Sequence, residues 1–201
     1  MKTNSLVRRT KTRELRRFLI VCEGEKTEPN YFRMFPENNE VYDEIDIHGT
    51  GYNTESLVKK AIELKNEAIK KKEPYIEVWC VFDKDSFSNE QFQGAIDLAR
   101  KSKIECAYSI EAFEIWYMLH FNFYDTAFER AQYKGKLTVE LARIGKPPYR
   151  KNDEEMYKIL ESRQKTAIRN AKKLYEQQWK KPLSERNPIT TVFKLVEKLL
   201  P

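Results

Sequence analysis

The sequence predicts an α/β protein, with a mostly parallel sheet flanked by helices and a basic helical annex at its C-terminal end. Short apolar segments that are typical of buried strands alternate with amphipathic segments as far as residue 121. Such alternation indicates parallel strands joined by helical crossovers. Beyond residue 121 the strand signals end, and the segments between glycines and prolines have helical character.

The first two strands and helices follow the basic N-terminal segment. The run RFLIVCE at 17–23 is too short for a helix and ends before a glycine, which indicates a buried strand. A threonine that can cap and a proline suited to a first turn favour a short helix from about Glu28. The alternating EIDIH at 44–48 predicts a second strand. The segment from Thr54 to the lysines at 70–72 has the apolar spacing of an amphipathic helix.

Two further strands enclose another helix. The run YIEVWCVF at 75–82 is β-branched and aromatic and stops at Asp83, which predicts a third strand. A helix is expected around 90–101, and IECAYSI at 104–110 predicts a fourth strand. The remaining segments read as helical, at 112–121, 127–143, 153–179 and 188–200. We therefore divide the chain into a basic tail at 1–17, an α/β domain at 18–122 and a basic helical annex at 123–201.

Charge is distributed unevenly along the 201 residues, whose formal net charge is +6. Residues 18–129 carry a net charge of −10, whereas residues 1–17 carry +6 and residues 130–186 carry +9. The acidic part is suited to gathering cations, and the basic parts are suited to contacting phosphates. The alternative for each run is a solvated helix face.

Several sequence features indicate a cytoplasmic protein without a membrane segment. No apolar run approaches the roughly 20 residues that span a bilayer, and the N-terminal residues lack the apolar core of a signal peptide. The three cysteines are far apart in the sequence and lie in apolar stretches. They suggest neither a disulfide framework nor a metal site, and we expect reduced, buried thiols.

Carboxylates follow two of the predicted strands. Glu23 ends the first strand before a glycine turn, Asp83 ends the third, and Asp85 lies two residues later on the same side of an extended backbone. Functional groups of open parallel sheets gather at the carboxyl ends of the strands. Three converging carboxylates suit Mg²⁺ or Mn²⁺, and Glu23 could transfer protons beside the metal. The alternative for a single D-x-D is a solvent-facing turn.

The E-G after the first strand and the D-x-D after the third resemble the Toprim domain, which topoisomerases, primases and several nucleases share. More narrowly, four segments resemble the RloB family of small Toprim-like proteins, namely CEGEKTEPNYF at 22–32, VFDKDSF at 81–87, SIEAFEIWYMLHF at 109–121 and NPITTVFKLVEKL at 187–199. The resemblance implies that Glu23 is the general acid/base and metal neighbour, and that Asp83 and Asp85 are metal ligands. It also implies a partner, since family members are often encoded beside an AAA- or ABC-type ATPase in phage-defence or restriction loci.

Further acids and a histidine are also candidate site residues. Glu25 is a further candidate metal ligand, whereas Glu28 is more readily explained by the positive end of a helix dipole. The family-like pattern makes Glu114 and His120 candidate catalytic residues. They are six positions apart, so an ideal helix places them on different faces. The alternative for His120 is a histidine satisfied within the core.

Bases and aromatic residues interleave in the annex, a pattern suited to phosphate contact and base stacking. The candidate nucleic-acid-binding residues are Lys134, Lys136, Arg150, Lys165 and Arg169. Lys165 and Arg169 share one face of a predicted helix with Lys172 and Lys173. The alternative is a docking surface for an acidic partner protein.

Together these observations predict a Mg²⁺-dependent Toprim-type nuclease that acts on DNA or RNA in anti-phage defence with a partner ATPase. The alternative is a non-catalytic or conditionally active adaptor that binds metal and nucleotide and docks on the ATPase. A primase-like nucleotidyl transferase is less favoured, because the sequence has no zinc-ribbon cysteines. A Toprim pattern alone is compatible with cleavage, ligation and polymerisation.

Overall fold

The computed structural model describes residues 16–35, 42–84 and 88–200. Its strands are β1 (Arg17–Cys22), β2 (Glu44–Gly49), β3 (Glu77–Asp83), β4 (Glu105–Ile110) and β5 (Ile189–Thr190). They form one sheet in the order β2-β1-β3-β4-β5. The first four strands are parallel, and β5 is antiparallel to β4. The predicted α/β fold with a mostly parallel sheet is confirmed.

Helices cover both faces of this sheet. They are α1 (Thr27–Phe32), α2 (Thr54–Lys70), α3 (Asn89–Lys101), α4 (Glu114–Leu119), α5 (Arg130–Arg143), α6 (Met156–Leu160), α7 (Gln164–Gln178) and α8 (Val192–Leu199). The start of α2 is fixed by Asn53, whose side chain accepts a hydrogen bond from the Ser56 backbone N–H. A capping box between Ser88 and Gln91 fixes the start of α3.

Strand β1 is buried on both sides, as its continuous apolar sequence predicts. Because side chains alternate along a strand, Phe18 and Ile20 enter one core layer, which also includes residues of α1 and of the annex helices. Leu19 and Val21 enter the other layer, against residues of α2 and α3. The two layers hold the carboxyl end of β1 in a fixed position.

The prediction of a helix at 188–200 was wrong over its first residues, because the structure has a short edge strand there. Ile189 and Thr190 pair with the end of β4, and the Thr190 hydroxyl lies 3.0 Å from that of Ser109. Thr191 continues the contact, since its N–H donates to the Tyr108 carbonyl over 2.8 Å. These bonds satisfy backbone groups on the β4 edge, and they outweigh the helical periodicity of the segment. The helix α8 therefore begins at Val192.

One aromatic side chain, Tyr31, joins the α/β domain to the annex. Its ring centroid lies 5.6 Å from that of Tyr117 and 5.5 Å from that of Tyr157. Its hydroxyl exchanges hydrogen bonds with the Gln164 side chain at the start of α7. A single buried cluster contains residues on both sides of the expected boundary at 122, so the annex shares its core with the sheet.

The described helices and cysteines bear on two further expectations. Within the described ranges, no helix has both the length and the apolar character needed to cross a bilayer. All three cysteines are free thiols, with Cys22 and Cys80 buried and Cys106 half-buried. Burial raises the pKa of the Cys22 thiol well above its ordinary value.

We predict that Tyr31→Phe destabilises the protein by about 1–3 kcal/mol, because it removes the hydrogen bonds between the Tyr31 hydroxyl and the buried Gln164 side chain. Urea unfolding followed by circular dichroism measures this change in the free energy of unfolding. Tyr52→Phe serves as the matched control, since Tyr52 is 48% exposed and its loss should change stability by less than about 0.5 kcal/mol. Equal stability of Tyr31→Phe and wild type would contradict the prediction.

Candidate active site

The carboxyl ends of β1 and β3 bring Glu23 and Asp83 together. The Glu23 backbone continues the sheet, since its N–H donates to the Val81 carbonyl over 2.8 Å and its carbonyl accepts from Gly51 N–H over 2.9 Å. The Glu23 carboxylate accepts a hydrogen bond from the Asp83 backbone N–H over 3.0 Å. Glu23 is therefore fixed at the sheet edge by its main chain and its side chain alike.

A cleft of about 200 Å³ opens at this edge. Its lining residues are Glu23, Gly24, Thr27, Glu28, Asp83, Phe113, Glu114, Arg130, Lys151 and Asn152. Four carboxylates and two cations thus face one small space. Their elements come from the α/β domain and from the annex, so the cleft is built jointly by both parts of the chain.

Glu28 lines the cleft because Gly24, which has no side chain, leaves room for its carboxylate. A Cβ atom at Gly24 would lie 2.1 Å from the Glu28 Oε2 atom, so a side chain at this position would displace the carboxylate. Glu28 is 6% exposed, and its burial, with Glu114 nearby, raises its pKa. The helix-dipole explanation of Glu28 misses its placement in the cleft. The glycine of the E-G motif is the sequence signal that could have identified it.

Asp83 lies in an unfavourable electrostatic environment for a carboxylate. It is 5% exposed, and burial together with the Glu28 carboxylate raises its pKa well above the ordinary value. Arg130 opposes this shift, since its Nη2 atom lies 3.5 Å from Asp83 Oδ2. Ionising the described acids of the cleft together is therefore unfavourable, and a further cation would relieve this.

Glu114 forms the wall supplied by α4. Its Oε1 atom accepts a hydrogen bond from the Tyr149 hydroxyl over 3.0 Å. Tyr149 is buried, and burial and the nearby Glu114 raise its pKa, so the phenol remains a donor to the carboxylate. The structure thus brings the predicted site residue Glu114 into the cleft with Glu23 and Asp83.

The second cation, Lys151, is positioned by a neighbouring asparagine. The Thr27 hydroxyl donates to Asn152 Oδ1 over 2.8 Å, and the Asn30 side chain donates to the Asn152 carbonyl over 3.1 Å. Asn152 has φ of 67°, a left-handed conformation that asparagine adopts more readily than most residues. These contacts attach the loop after α5 to α1 and place Lys151 at the cleft.

The cleft has the donor chemistry of a magnesium or manganese site, but the described residues do not complete one. Carboxylate oxygens are the ligands that these cations prefer. Among the residues that the structure describes, no group of three His, Cys, Asp or Glu side chains is arranged to hold a metal ion. Asp85, the third expected ligand, lies outside the described residues. The metal site therefore remains a prediction.

Two other candidates lie away from the cleft lining. Glu25 is exposed, and its Oε1 atom lies 2.9 Å from where a Cβ atom at Gly51 would be, beside the loop after β2. His120 is fully buried, its Nδ1 atom lies 2.9 Å from the Trp116 carbonyl oxygen, and its ring packs edge-on against the Trp116 ring. The structure does not bring Glu25 or His120 to the cleft with Glu23 and Asp83.

The five basic candidates of the annex lie in different settings. Lys134 and Arg150 are exposed, whereas Lys136 is half-buried with its Nζ atom 4.0 Å from the Phe128 ring centroid. Lys165 and Arg169 line a groove of about 690 Å³ together with Lys172 and Lys173. The predicted basic face of α7 is therefore present. Helices α5 and α7 both pack against α4, which carries Glu114.

The sequence did not single out Arg130 and Asn152 as site residues, and it indicated Lys151 only as one of the interleaved basic residues of the annex. Arg130 begins α5 and Lys151 lies in the following loop, far in sequence from the acids that they accompany. Both occur in the basic segment of the chain, where they are indistinguishable from neighbouring surface bases. Their proximity to Asp83 and Glu114 depends on how the annex packs on the sheet.

We predict that His120 acts as a pH-sensitive core residue. Burial lowers its pKa from 6.5 to about 4, so the unfolded chain takes up this proton first as the pH falls. Stability is therefore lost between about pH 6.5 and pH 4, on the order of 3 kcal/mol. Denaturant unfolding of wild type and His120→Asn across this range measures the difference. Identical pH profiles would contradict the assignment.

One of three comparisons with known proteins found a match. The family model described as RloB-like protein matches residues 18–199. Searches of the curated proteins and of the solved structures gave no significant match. The matched region includes every described strand and helix except the first residue of β1, together with all the residues that line the cleft. The chain therefore belongs to the RloB-like family.

Proposed function

We propose that the protein is a metal-dependent Toprim-type nuclease that hydrolyses phosphodiester bonds of nucleic acid. The observation that carries the proposal is the cleft at the carboxyl ends of β1 and β3, where four carboxylates lie beside Arg130 and Lys151. This combination suits a phosphodiester. The carboxylates can transfer protons and bind metal cations, and the arginine and lysine side chains can contact phosphate oxygens. Edges of this kind are the usual ligand sites of open α/β sheets.

Glu23 is the proposed proton-transfer group. Its carboxylate is held by the Asp83 N–H and faces the cleft, so it is fixed beside the space that a substrate would occupy. In hydrolysis it would accept a proton from the attacking water or return one to the leaving oxygen. Glu114 is a second acid within the same cleft, oriented by the Tyr149 hydroxyl.

The cations of the cleft are the proposed phosphate contacts. Arg130 is 45% exposed at its side chain and lies against Asp83, so it can turn toward a substrate without leaving the site. Lys151 reaches the cleft from the loop that Asn152 attaches to α1. Guanidinium and ammonium groups form charge-assisted hydrogen bonds with phosphate oxygens, which would hold the scissile bond near Glu23.

Asp83 and Asp85, with Glu23 beside them, are the residues proposed to hold Mg²⁺ or Mn²⁺, which would neutralise negative charge on the phosphoryl oxygens. The buried Asp83 carboxylate supports this assignment, because its pKa stays raised even though the Arg130 cation lies beside it. Glu28 adds a further carboxylate to the same cleft. Binding of a divalent cation would reduce the repulsion among these acids.

The proposal extends to substrate and partner. The exposed bases of α5, the following loop and the α7 groove would hold the nucleic-acid backbone near the cleft. The resemblance to the RloB family supports a role in anti-phage defence with an AAA- or ABC-type ATPase. A metal- and nucleotide-binding adaptor is the alternative function.

We predict that Glu23→Gln, Asp83→Asn and Asp85→Asn each lower the single-turnover cleavage rate by about 100-fold or more, because each removes proton transfer or a metal ligand. The assay incubates each protein with Mg²⁺ or Mn²⁺ and DNA, tRNA or total RNA, with and without the candidate ATPase and ATP. Glu63→Gln is the matched control, since Glu63 is an exposed acid on α2. It should cleave at the wild-type rate.

Thermal melting provides a readout that is independent of substrate. Mg²⁺ should raise the melting temperature of wild type relative to EDTA, and this rise should be absent in the triple variant of Glu23, Asp83 and Asp85. An equal rise in both proteins would exclude the metal site.

Full protection by Asp83→Asn in a phage-challenge assay would overturn the nuclease proposal and favour the adaptor.

We predict that nucleic-acid affinity falls steeply with salt, because cations of the annex replace counterions on the phosphates. Each of the substitutions Lys134→Gln, Lys136→Gln, Arg150→Gln, Lys165→Gln and Arg169→Gln should remove one phosphate contact and reduce the log-log slope by about 0.7 to 0.9. Fluorescence anisotropy across a salt series measures this slope. Lys59→Gln on α2, an exposed lysine paired with Glu55, should leave it unchanged. Unchanged slopes in the annex variants would favour the alternative of a protein-docking surface.

A further inference from the structure

A pocket distinct from the cleft and from the α7 groove lies at the other end of β4, between α3 and the segment that leads from α7 to α8. It has a volume of about 330 Å³ and begins at Ile104 and Glu105, at the start of the strand. In the strand register Glu105 pairs with Trp79, four residues before Asp83. The pocket shares no lining residue with the acidic cleft, so it is a separate site on the sheet.

The pocket is bordered by an exposed indole. Trp179 is 51% exposed, whereas the other two tryptophans of the chain, Trp79 and Trp116, are 3% and 0% exposed. Its ring stacks on that of Tyr175, with centroids 5.0 Å apart and planes inclined by 24°. This stacking holds the indole in a fixed orientation at the surface, where about half of the residue remains exposed.

Cations are positioned over the same aromatic pair. The Arg186 guanidinium carbon lies 4.5 Å from the Trp179 ring centroid, and the Lys194 ammonium lies 4.4 Å from the Tyr175 ring centroid. Arg186 is further fixed because its Nε atom donates to the Lys181 carbonyl over 2.7 Å. Cation–π contact and hydrogen bonding thus hold both charges at the pocket before any ligand arrives.

The pocket has an excess of positive charge. Its lining includes Arg100, Lys103, Arg186 and Lys194, with Glu105 as its carboxylate. Arg100 is paired with Asp97. Among the described residues, Lys103, Arg186 and Lys194 have no carboxylate within ion-pair distance. Cations from three segments of the chain therefore converge on one concavity without matching acids.

We propose that this pocket binds a nucleoside phosphate. The base would contact the Trp179 ring system, and the phosphate would bind Arg186, Lys194 and Lys103. The volume of about 330 Å³ is at the lower end of small-ligand pockets and suits a single nucleotide. A mononucleotide and the phosphorylated end of a nucleic-acid strand present the same chemistry to the site. An exposed aromatic ring flanked by lysine or arginine side chains is a common binding arrangement for such ligands.

Isothermal titration calorimetry with AMP, inorganic phosphate and adenosine tests the proposal on the full-length protein. AMP should bind more tightly than phosphate or adenosine, because it alone satisfies both the ring and the cations. Tryptophan fluorescence should change on binding, since Trp179 is the exposed indole of the chain. Arg186→Gln and Lys194→Gln should each weaken AMP binding by about tenfold, and Trp179→Leu should weaken it and remove the fluorescence change.

Two matched controls separate this pocket from the other basic surfaces and from the proposed catalytic site. Lys165→Gln, in the α7 groove, should leave AMP affinity unchanged. Asp83→Asn should bind AMP as wild type does even if it abolishes cleavage, so failure of the nuclease proposal does not count against this pocket. The melting temperatures of Arg186→Gln and Lys194→Gln, measured alongside, verify that each variant is folded.

Defined outcomes decide the proposal. Absence of AMP binding to wild type, equal affinity for AMP and inorganic phosphate, or wild-type affinity in both Arg186→Gln and Lys194→Gln would overturn it. A short phosphorylated oligonucleotide distinguishes the two sources of ligand. Tighter binding of the oligonucleotide through the same residues identifies a strand end, whereas tighter binding of AMP identifies a free nucleotide.

Discussion

The parallel pairing of β1 with β3 is the constraint on which the candidate site depends. It aligns Cys22 with Val81, so both strands reach the same edge, and Glu23 accepts a hydrogen bond from the Asp83 N–H. Buried apolar residues on both faces of β1 prevent a shift in register, because a slip by one residue would turn its side chains to the wrong layers. Two acids far apart in sequence therefore meet at a rigid position.

Placing several carboxylates at this edge has an electrostatic cost, which the surrounding residues offset in part. Gly24 leaves room for the Glu28 carboxylate, Tyr149 donates to Glu114, and Arg130 lies beside Asp83. The pKa of Asp83 nevertheless remains well above its ordinary value, because burial and Glu28 outweigh Arg130. These are the residues to which the proposed function assigns the cation and the anionic substrate.

The annex completes the cleft and is not a separate appendage. Tyr31 connects the helix after β1 to α7 through Gln164, and Asn152 attaches the loop after α5 to α1. These contacts bring Lys151 and Arg130 to acids of the sheet. The same packing leaves Trp179 exposed beside Arg186 at the other end of β4, so the annex contributes to two sites of opposite character.

Local patterns in the sequence determined the parallel strands and the acids at their tips. The apolar run before Glu23 and the β-branched run before Asp83 predicted β1 and β3, because burial of a strand on both faces requires continuous apolar residues. Tertiary structure decided the rest, including the two-residue strand β5, the burial of His120 and the positions of Arg130 and Lys151. Those features depend on packing between segments that are distant in the chain. Neither the hydrophobic periodicity of a segment nor its residue types indicate which distant side chains it will contact.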